Sequence, residues 1–279
     1  MKDVISIVGA GGKTTVLNLM AKNISKRADV LLSTTTKMKL PSINEYDVLI
    51  INKEDFEKYN TYFLKYNILM KDMEFLSSNL DFKKISKKEK RDKYDDVLFE
   101  KEIYRAKIPE TYVFYHKNFG IYYLLPEISI SEINKKFMHV KDEEILMFSH
   151  FFDYIILESD GARKKRLKLP KEHEPVISKL TTKTIAVLDI KMTGQQISEE
   201  NTYNLEAFKE LLDKDSGDVL RLEDIVTMIS LKDGIFKVSL GEKFLCINKL
   251  KSEEDEKNAD FIKSKVPNEI STIILRKFS

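Results

Sequence analysis

From residue 4 to residue 8 the chain is almost continuously apolar and rich in β-branched side chains, which predicts a short strand buried on both faces. The run ends in Gly9-Ala10-Gly11-Gly12. From Thr14 the period changes, with Val16, Leu17, Met20, Ala21 and Ile24 on one helical face and Lys22, Lys26 and Arg27 elsewhere. Strand, glycine turn and helix therefore follow in order. Further buried strands are predicted at 30–33, 48–51, 154–157, 184–188 and 244–247, and helices at 204–212 and 254–265. Strands alternating with helices imply a mainly parallel sheet flanked by helices, a three-layer α/β fold.

Between 56 and 110 the pattern is poorer. Aromatic residues at helical spacing, Phe56, Tyr59, Tyr62 and Phe63, give way to a lysine-rich stretch from Lys83 to Lys93 whose charges read as a solvated helix surface. This segment is expected to be an insertion or lid on the sheet. Residues 112–115 and 121–125, joined by 116–120, are expected to pair as a hairpin. With no internal repeat or low-complexity linker, one elaborated domain over 1–279 is the simplest organisation.

The 279 residues are 42% hydrophobic, enough to bury a full core. Basic and acidic side chains number 47 and 45, so a net charge of +2 provides no field to gather polyanions and disfavours a dedicated nucleic-acid binder. Cys246 is the only cysteine, which excludes an internal disulfide, and no Cys/His set has zinc-finger spacing. The first apolar run is too short for a signal-peptide core, and no run reaches the length of about 18 that a membrane span needs. A cytoplasmic protein without a membrane span is expected.

The glycine turn is where chemistry enters. A strand that runs through glycines into a helix presents free backbone N–H groups and the positive end of the helix dipole to an anion. Gly9, Ala10, Gly11, Gly12, Lys13, Thr14 and Thr15 are thus candidate nucleotide-binding residues. Lys13 is placed to reach the β and γ phosphates, and the Thr14 hydroxyl to bind a bridging Mg²⁺. The longer pattern GxxxxGK[ST] would need a glycine where Ile7 stands, so only GxGGKT is present. The bland alternative is a βα turn whose lysine is merely solvated.

Glu158 and Asp160 follow the strand at 154–157 and would share a face if it continued, one anchoring the metal and the other orienting the nucleophile. Their competing use is to end a strand and cap a turn. Thr35, Thr36 and Lys37 stand after the second strand, at the carboxyl edge where ligands bind in open α/β sheets, with Thr35 a candidate metal ligand. Plain β propensity explains the threonines equally well. Arg163, Lys164, Lys165, Arg166 and Lys168 could neutralise phosphate or an anionic substrate, or be a solvated loop. His173, beside Glu174, could be a base or ligand or simply structural.

Together, VGAGGKTT at 8–15, STTTKM at 33–38 and LESDGARKKRLKLPKEHEP at 157–175 resemble one family, the YqeC-type accessory proteins of selenium-dependent molybdenum hydroxylases. The blocks stand in the family's order. The resemblance implies a P-loop nucleotide-binding fold and a role in maturing or supplying the selenium- and molybdenum-containing centre, with the hydroxylase or its cofactor as partner. The family's phosphate loop falls on Gly9 to Thr15, its threonine block on Thr34 to Lys37, and its acidic block on Glu158, Asp160, Gly161 and Ala162. Its downstream lysine, proline and EHEP elements fall on Lys168, Pro170 and Glu172 to Pro175. Two departures stand out. The segment 56–110 exceeds the family's pattern, and Ile247-Asn248-Lys249-Leu250-Lys251 looks like an NKxD guanine-reading loop with Lys251 in place of the acceptor aspartate. Asn248 and Lys249 stay nucleotide-binding candidates, and ATP and GTP both stay open.

The leading expectation is a Mg²⁺-dependent NTPase in which Lys13, Glu158 and Asp160 act in catalysis and Thr14, Thr35 and Asp160 hold the metal. Thr36, Lys37, Arg163, Lys168, His173 and Glu174 are candidates for contacting substrate or client. Two alternatives stand beside it: an ATP-dependent ligase of Mur-like type, and a chaperone that binds nucleotide or cofactor without hydrolysis.

Overall fold

The computed structural model describes residues 3–42, 44–59, 73–76, 111–115, 120–130, 135–161 and 165–276. In chain order the first elements are β1 (Asp3–Gly9), α1 (Lys13–Ile24), β2 (Val30–Thr34), β3 (Met38–Lys39), β4 (Val48–Asn52) and α2 (Lys53–Lys58). There follow β5 (Met73–Leu76), β6 (Thr111–Tyr115), β7 (Ile121–Leu125), β8 (Ile128–Ile130), β9 (Lys135–Phe137), α3 (Asp142–Ser149) and β10 (Tyr154–Glu158). The rest are β11 (Leu167–Lys168), β12 (Lys183–Asp189), β13 (Thr202–Tyr203), α4 (Leu205–Leu212), α5 (Leu222–Ser230), β14 (Glu242–Asn248), α6 (Glu253–Lys265) and β15 (Ile270–Ile274). The fold is α/β, with mainly parallel strands flanked by helices, as the alternating pattern predicts.

The chain divides into two compact units, residues 1–4 with 17–157 and residues 5–16 with 158–279. In the first, β2, β7 and β4 run parallel, and β10 lies beside β2. β6 is antiparallel to β4, and β5 antiparallel to β6. The expected hairpin between 112–115 and 121–125 is therefore wrong, because β4 lies between β6 and β7 and pairs with both. A run of apolar residues predicts a strand but says nothing of its partner, because pairing is made by backbone groups that every strand presents on both edges. Of the segment 56–110, the described residues are 56–59 and 73–76, the latter forming β5; the remainder of the expected insertion lies outside the described residues. A small antiparallel sheet, β3-β9-β8, completes this unit. Its core sets aromatic pairs among aliphatic side chains such as Leu31, Ile50 and Ile156: Tyr122 meets Phe152 edge-on at 4.8 Å, and Tyr123 meets Phe137 at 6.2 Å and 89°.

In the second unit the order is β15-β14-β12-β1, every neighbour parallel. Side chains alternate across a strand, so register decides which residues share a face. Val8, Ala186 and Leu245 stand in one row, Leu188 and Ile247 in another, and all join one buried cluster with Phe208 of α4, Ile225 and Met228 of α5, and Ala259 and Ile262 of α6. The alternate positions, Ile7, Ile185, Val187 and Cys246, are buried as well. Burial on both faces is why these strands read as continuous apolar runs.

Candidate functional site

Everything that converges on the glycine turn belongs to the second unit. β1 ends at Gly9, and Gly9, Gly11 and Gly12 have φ of 88°, 86° and 128°, a region that L side chains rarely adopt. Space imposes the same choice. A Cβ on Gly9 would lie 2.5 Å from the Val187 carbonyl oxygen, and one on Gly11 would lie 2.3 Å from Cβ of Asp189. The Ala10 N–H donates to the Val187 carbonyl at 3.0 Å, tying the turn to β12. The first helical bond of α1 runs from the Val16 N–H to the Gly12 carbonyl, so the amides of Lys13, Thr14 and Thr15 precede the intrahelical ladder.

Lys13 is buried, and its ammonium donates to the Gly9 carbonyl at 2.8 Å. Burial pushes it below the usual lysine value, against the opposing charges of Asp160 and Glu158. The exposed Thr14 hydroxyl donates to Glu158 Oε2 at 2.8 Å, although the two residues are 144 positions apart. β10 stops at Glu158, so the two acids do not share a strand face as expected. Instead, the Ser159 N–H donates to the Ile7 carbonyl at 2.9 Å, which brings the following residue under the turn.

Asp160 is buried there. Its Oδ2 accepts from the Gly9 N–H at 3.2 Å, and its Oδ1 accepts from the Lys168 ammonium. Burial raises both acids above ordinary carboxylate values; Lys13 and the Thr14 hydroxyl counter this at Glu158, and Lys13 and Lys168 at Asp160. Lys168 also donates to the Gly161 carbonyl at 2.9 Å, pairs with Glu174 Oε2 at 2.8 Å, and stands 4.2 Å over the Tyr203 ring. Tyr203 in turn donates to Glu174 Oε1 at 2.8 Å. For Glu174, burial is the largest single influence and acts upward, yet the bonds from Lys168 and Tyr203 outweigh it and hold the carboxyl below its ordinary value.

On the far side of the turn, Asn248 Nδ2 donates to the Gly11 carbonyl at 3.3 Å, and Lys249 pairs with the fully buried Asp189 at 2.6 Å. Neither Asp189 nor Tyr203 was singled out by motif; an acid closing a buried strand was the one available signal.

Thr35, buried, Thr36, half-buried, and Lys37, exposed, follow β2 in the first unit. Arg163 lies outside the described residues. His173 is exposed in a turn, and Arg166 is exposed while Lys165 donates to the Glu199 carbonyl and Lys168 is buried, so the described members of the basic run do not form one cluster. Among the described residues no group of three or more His, Cys, Asp or Glu could hold a metal ion. A cation at the turn would rest on the Thr14 hydroxyl and a carboxylate, with water and phosphate oxygens besides; hard oxygen donors of this kind suit Mg²⁺.

A model of the YqeC protein family matches residues 5–206. Over 85 residues the chain is 35% identical to the uncharacterized protein YqeC of Escherichia coli strain K12, an alignment covering 30% of this chain and 33% of that relative. The chain thus matches only a third of that curated relative's length. No solved structure matches.

Proposed function

The chain belongs to the YqeC protein family, and from that premise we propose that it binds a nucleoside triphosphate with Mg²⁺ at the glycine turn and hydrolyses it. The observation that carries this reading is the hydrogen bond from Thr14 to Glu158, made beside three left-handed glycines. A hydroxyl in the first turn of a helix, aimed at a carboxylate from a neighbouring strand end, is the donor pair a phosphate-bound Mg²⁺ requires. The Gly11 and Gly12 amides and the start of α1 receive phosphate oxygens. Lys13 exchanges the Gly9 carbonyl for a phosphate oxygen, and the added negative charge favours its charged form against burial. Mg²⁺, when bound, neutralises charge on the transferred phosphoryl group. Thr14 and Glu158 are the residues that would hold that ion.

We further propose that hydrolysis serves the maturation of a selenium-dependent molybdenum hydroxylase, the client being the enzyme or its cofactor. That role rests on the resemblance of the three sequence blocks.

Phosphate release from ATP and from GTP, with Mg²⁺, tests the reading. The intact chain is expected to release phosphate, and Lys13→Ala and Glu158→Gln to lose about tenfold to a thousandfold, the range for removing one charge-stabilising group. An unchanged rate in Lys13→Ala would refute the site. Turnover only with a carboxylate acceptor would identify a ligase, and nucleotide binding without release a non-hydrolysing chaperone.

A further inference from the structure

Lys168 looks at first like a spare cation for an anionic ligand. Its geometry says otherwise. An ammonium has three donors, and those of Lys168 meet Asp160 Oδ1, the Gly161 carbonyl and Glu174 Oε2. The side chain is 1% exposed and its remaining face is covered by the Tyr203 ring. Nothing is left with which to receive a phosphate. Asp160 is committed by burial, being 3% exposed with one oxygen on Lys168 and the other on the Gly9 N–H. Glu158, by contrast, meets the turn through the exposed hydroxyl of Thr14.

We propose that Lys168 and Asp160 are positioning residues for the phosphate turn: Lys168, braced by Glu174 and Tyr203, holds the Asp160 carboxylate on the Gly9 amide, and Glu158 alone supplies the metal-side carboxylate. Gly9 is the hinge between β1 and the loop, and it sits at φ 88°. When Lys13 leaves the Gly9 carbonyl for a ligand, the bond from the Gly9 N–H to Asp160 still fixes the preceding peptide, so that Gly9 stays held at the end of β1. Neutralising Asp160 with Lys168 also keeps a second bare carboxylate from repelling an incoming anion. The division of roles rests on the nucleotide reading; the hold on Gly9 does not.

The two parts are tested separately in the full-length chain. Hydrogen exchange of the Gly9 amide, measured by NMR without ligand, is expected to quicken by about tenfold or more in Asp160→Ala and Lys168→Met, equivalent to about 1.4 kcal/mol of lost protection. It is expected to stay slow in Glu158→Gln. Nucleotide affinity, measured with ATP in the presence and absence of Mg²⁺, is expected to weaken by one common factor in Asp160→Ala and Lys168→Met, so the effect of Mg²⁺ persists. In Glu158→Gln that effect is expected to collapse. Should Lys168→Met fail to fold, the pair Lys168→Met with Asp160→Asn removes both buried charges together while an amide oxygen still accepts from Gly9, and slow Gly9 exchange is expected to return. Slow Gly9 exchange in Asp160→Ala or Lys168→Met overturns the positioning role. Loss of the Mg²⁺ effect in Asp160→Ala, with Gly9 still protected, makes Asp160 a metal ligand instead. If the intact chain binds no nucleotide, the proposed function falls and Gly9 exchange alone decides this inference.

Discussion

A methyl group on Gly11 would collide with the Asp189 side chain at 2.3 Å and would have to accept a φ of 86°. Gly11→Ala is therefore expected to distort the turn and abolish nucleotide binding, with a stability loss of about 1–3 kcal/mol for the strained residue. Calorimetric titration and chemical unfolding would check the two parts. The acids carry the opposite kind of tension. Because burial raises Glu158, its protonated form is favoured in the fold, so its contribution to stability is present below the ordinary value of 4.5 and is lost as pH rises through the raised folded value. Glu158→Gln is expected to stabilise the ligand-free protein at neutral pH, by an amount that shrinks on acidification, while costing Mg²⁺-dependent binding. A melting-temperature series against pH would show it, and a destabilised variant at neutral pH would contradict it. Lys13, Glu158 and Asp160 are thus charges whose burial costs stability in the ligand-free fold.

At the scale of elements, α6 shows how a cap can serve a site. Ser252 and Asp255 form its capping box, and Asp255 also accepts from the Lys251 N–H and the Lys191 ammonium. Burial opposes the charge of Asp255, but these bonds prevail and lower its pKa from 3.8 to about 2. The stability this group adds is present above 3.8 and lost as pH falls toward 2. Asp255→Asn is expected to flatten that part of the acid-unfolding curve. It should also loosen the segment that follows β14, next to Asn248 at the end of that strand, whose side chain donates to the Gly11 carbonyl. β12 is the other element on which the site leans, since its end supplies Val187 and Asp189 against the glycines. Leu188, on the intervening face, belongs to the aliphatic cluster, and Leu188→Ala is expected to cost about 2–5 kcal/mol by cavity formation. Urea unfolding would read that directly.

At the scale of the molecule, each unit has a core of its own, with aromatic pairs among aliphatic side chains in the first and a cluster that joins β1, β12 and β14 to α4, α5 and α6 in the second. Cys246, the one thiol, is buried in the second, where desolvation pushes its pKa up to about 12. Its alkylation is therefore expected to follow opening of that unit, and nucleotide at about a hundred times its Kd should slow it by about a hundredfold, the effect of about 2.7 kcal/mol of linked binding. No helix among the described residues is long and apolar enough to cross a membrane. Much of the architecture was legible because buried parallel strands write themselves as apolar runs. Residues 4–8, 30–33, 48–51, 154–157, 184–188 and 244–247 all lie within observed strands, and the glycine turn was marked by composition alone. Short α3 and α5 were not anticipated, although α4, no longer than either, was. Strand partners were not legible, which is why β4 came between β6 and β7 unforeseen.

By itself, then, the sequence determined the local unit: strand, glycine turn and helix, with Lys13 and Thr14 at its start, because backbone sterics and apolar periodicity are properties of neighbouring residues. Only the tertiary structure decided that Glu158 faces Thr14, that Asp160 faces Gly9, and that Lys168 is buried upon it. Those partnerships depend on how β1, β12 and the chain after β10 are packed, and packing couples residues more than a hundred positions apart, beyond the reach of any local pattern.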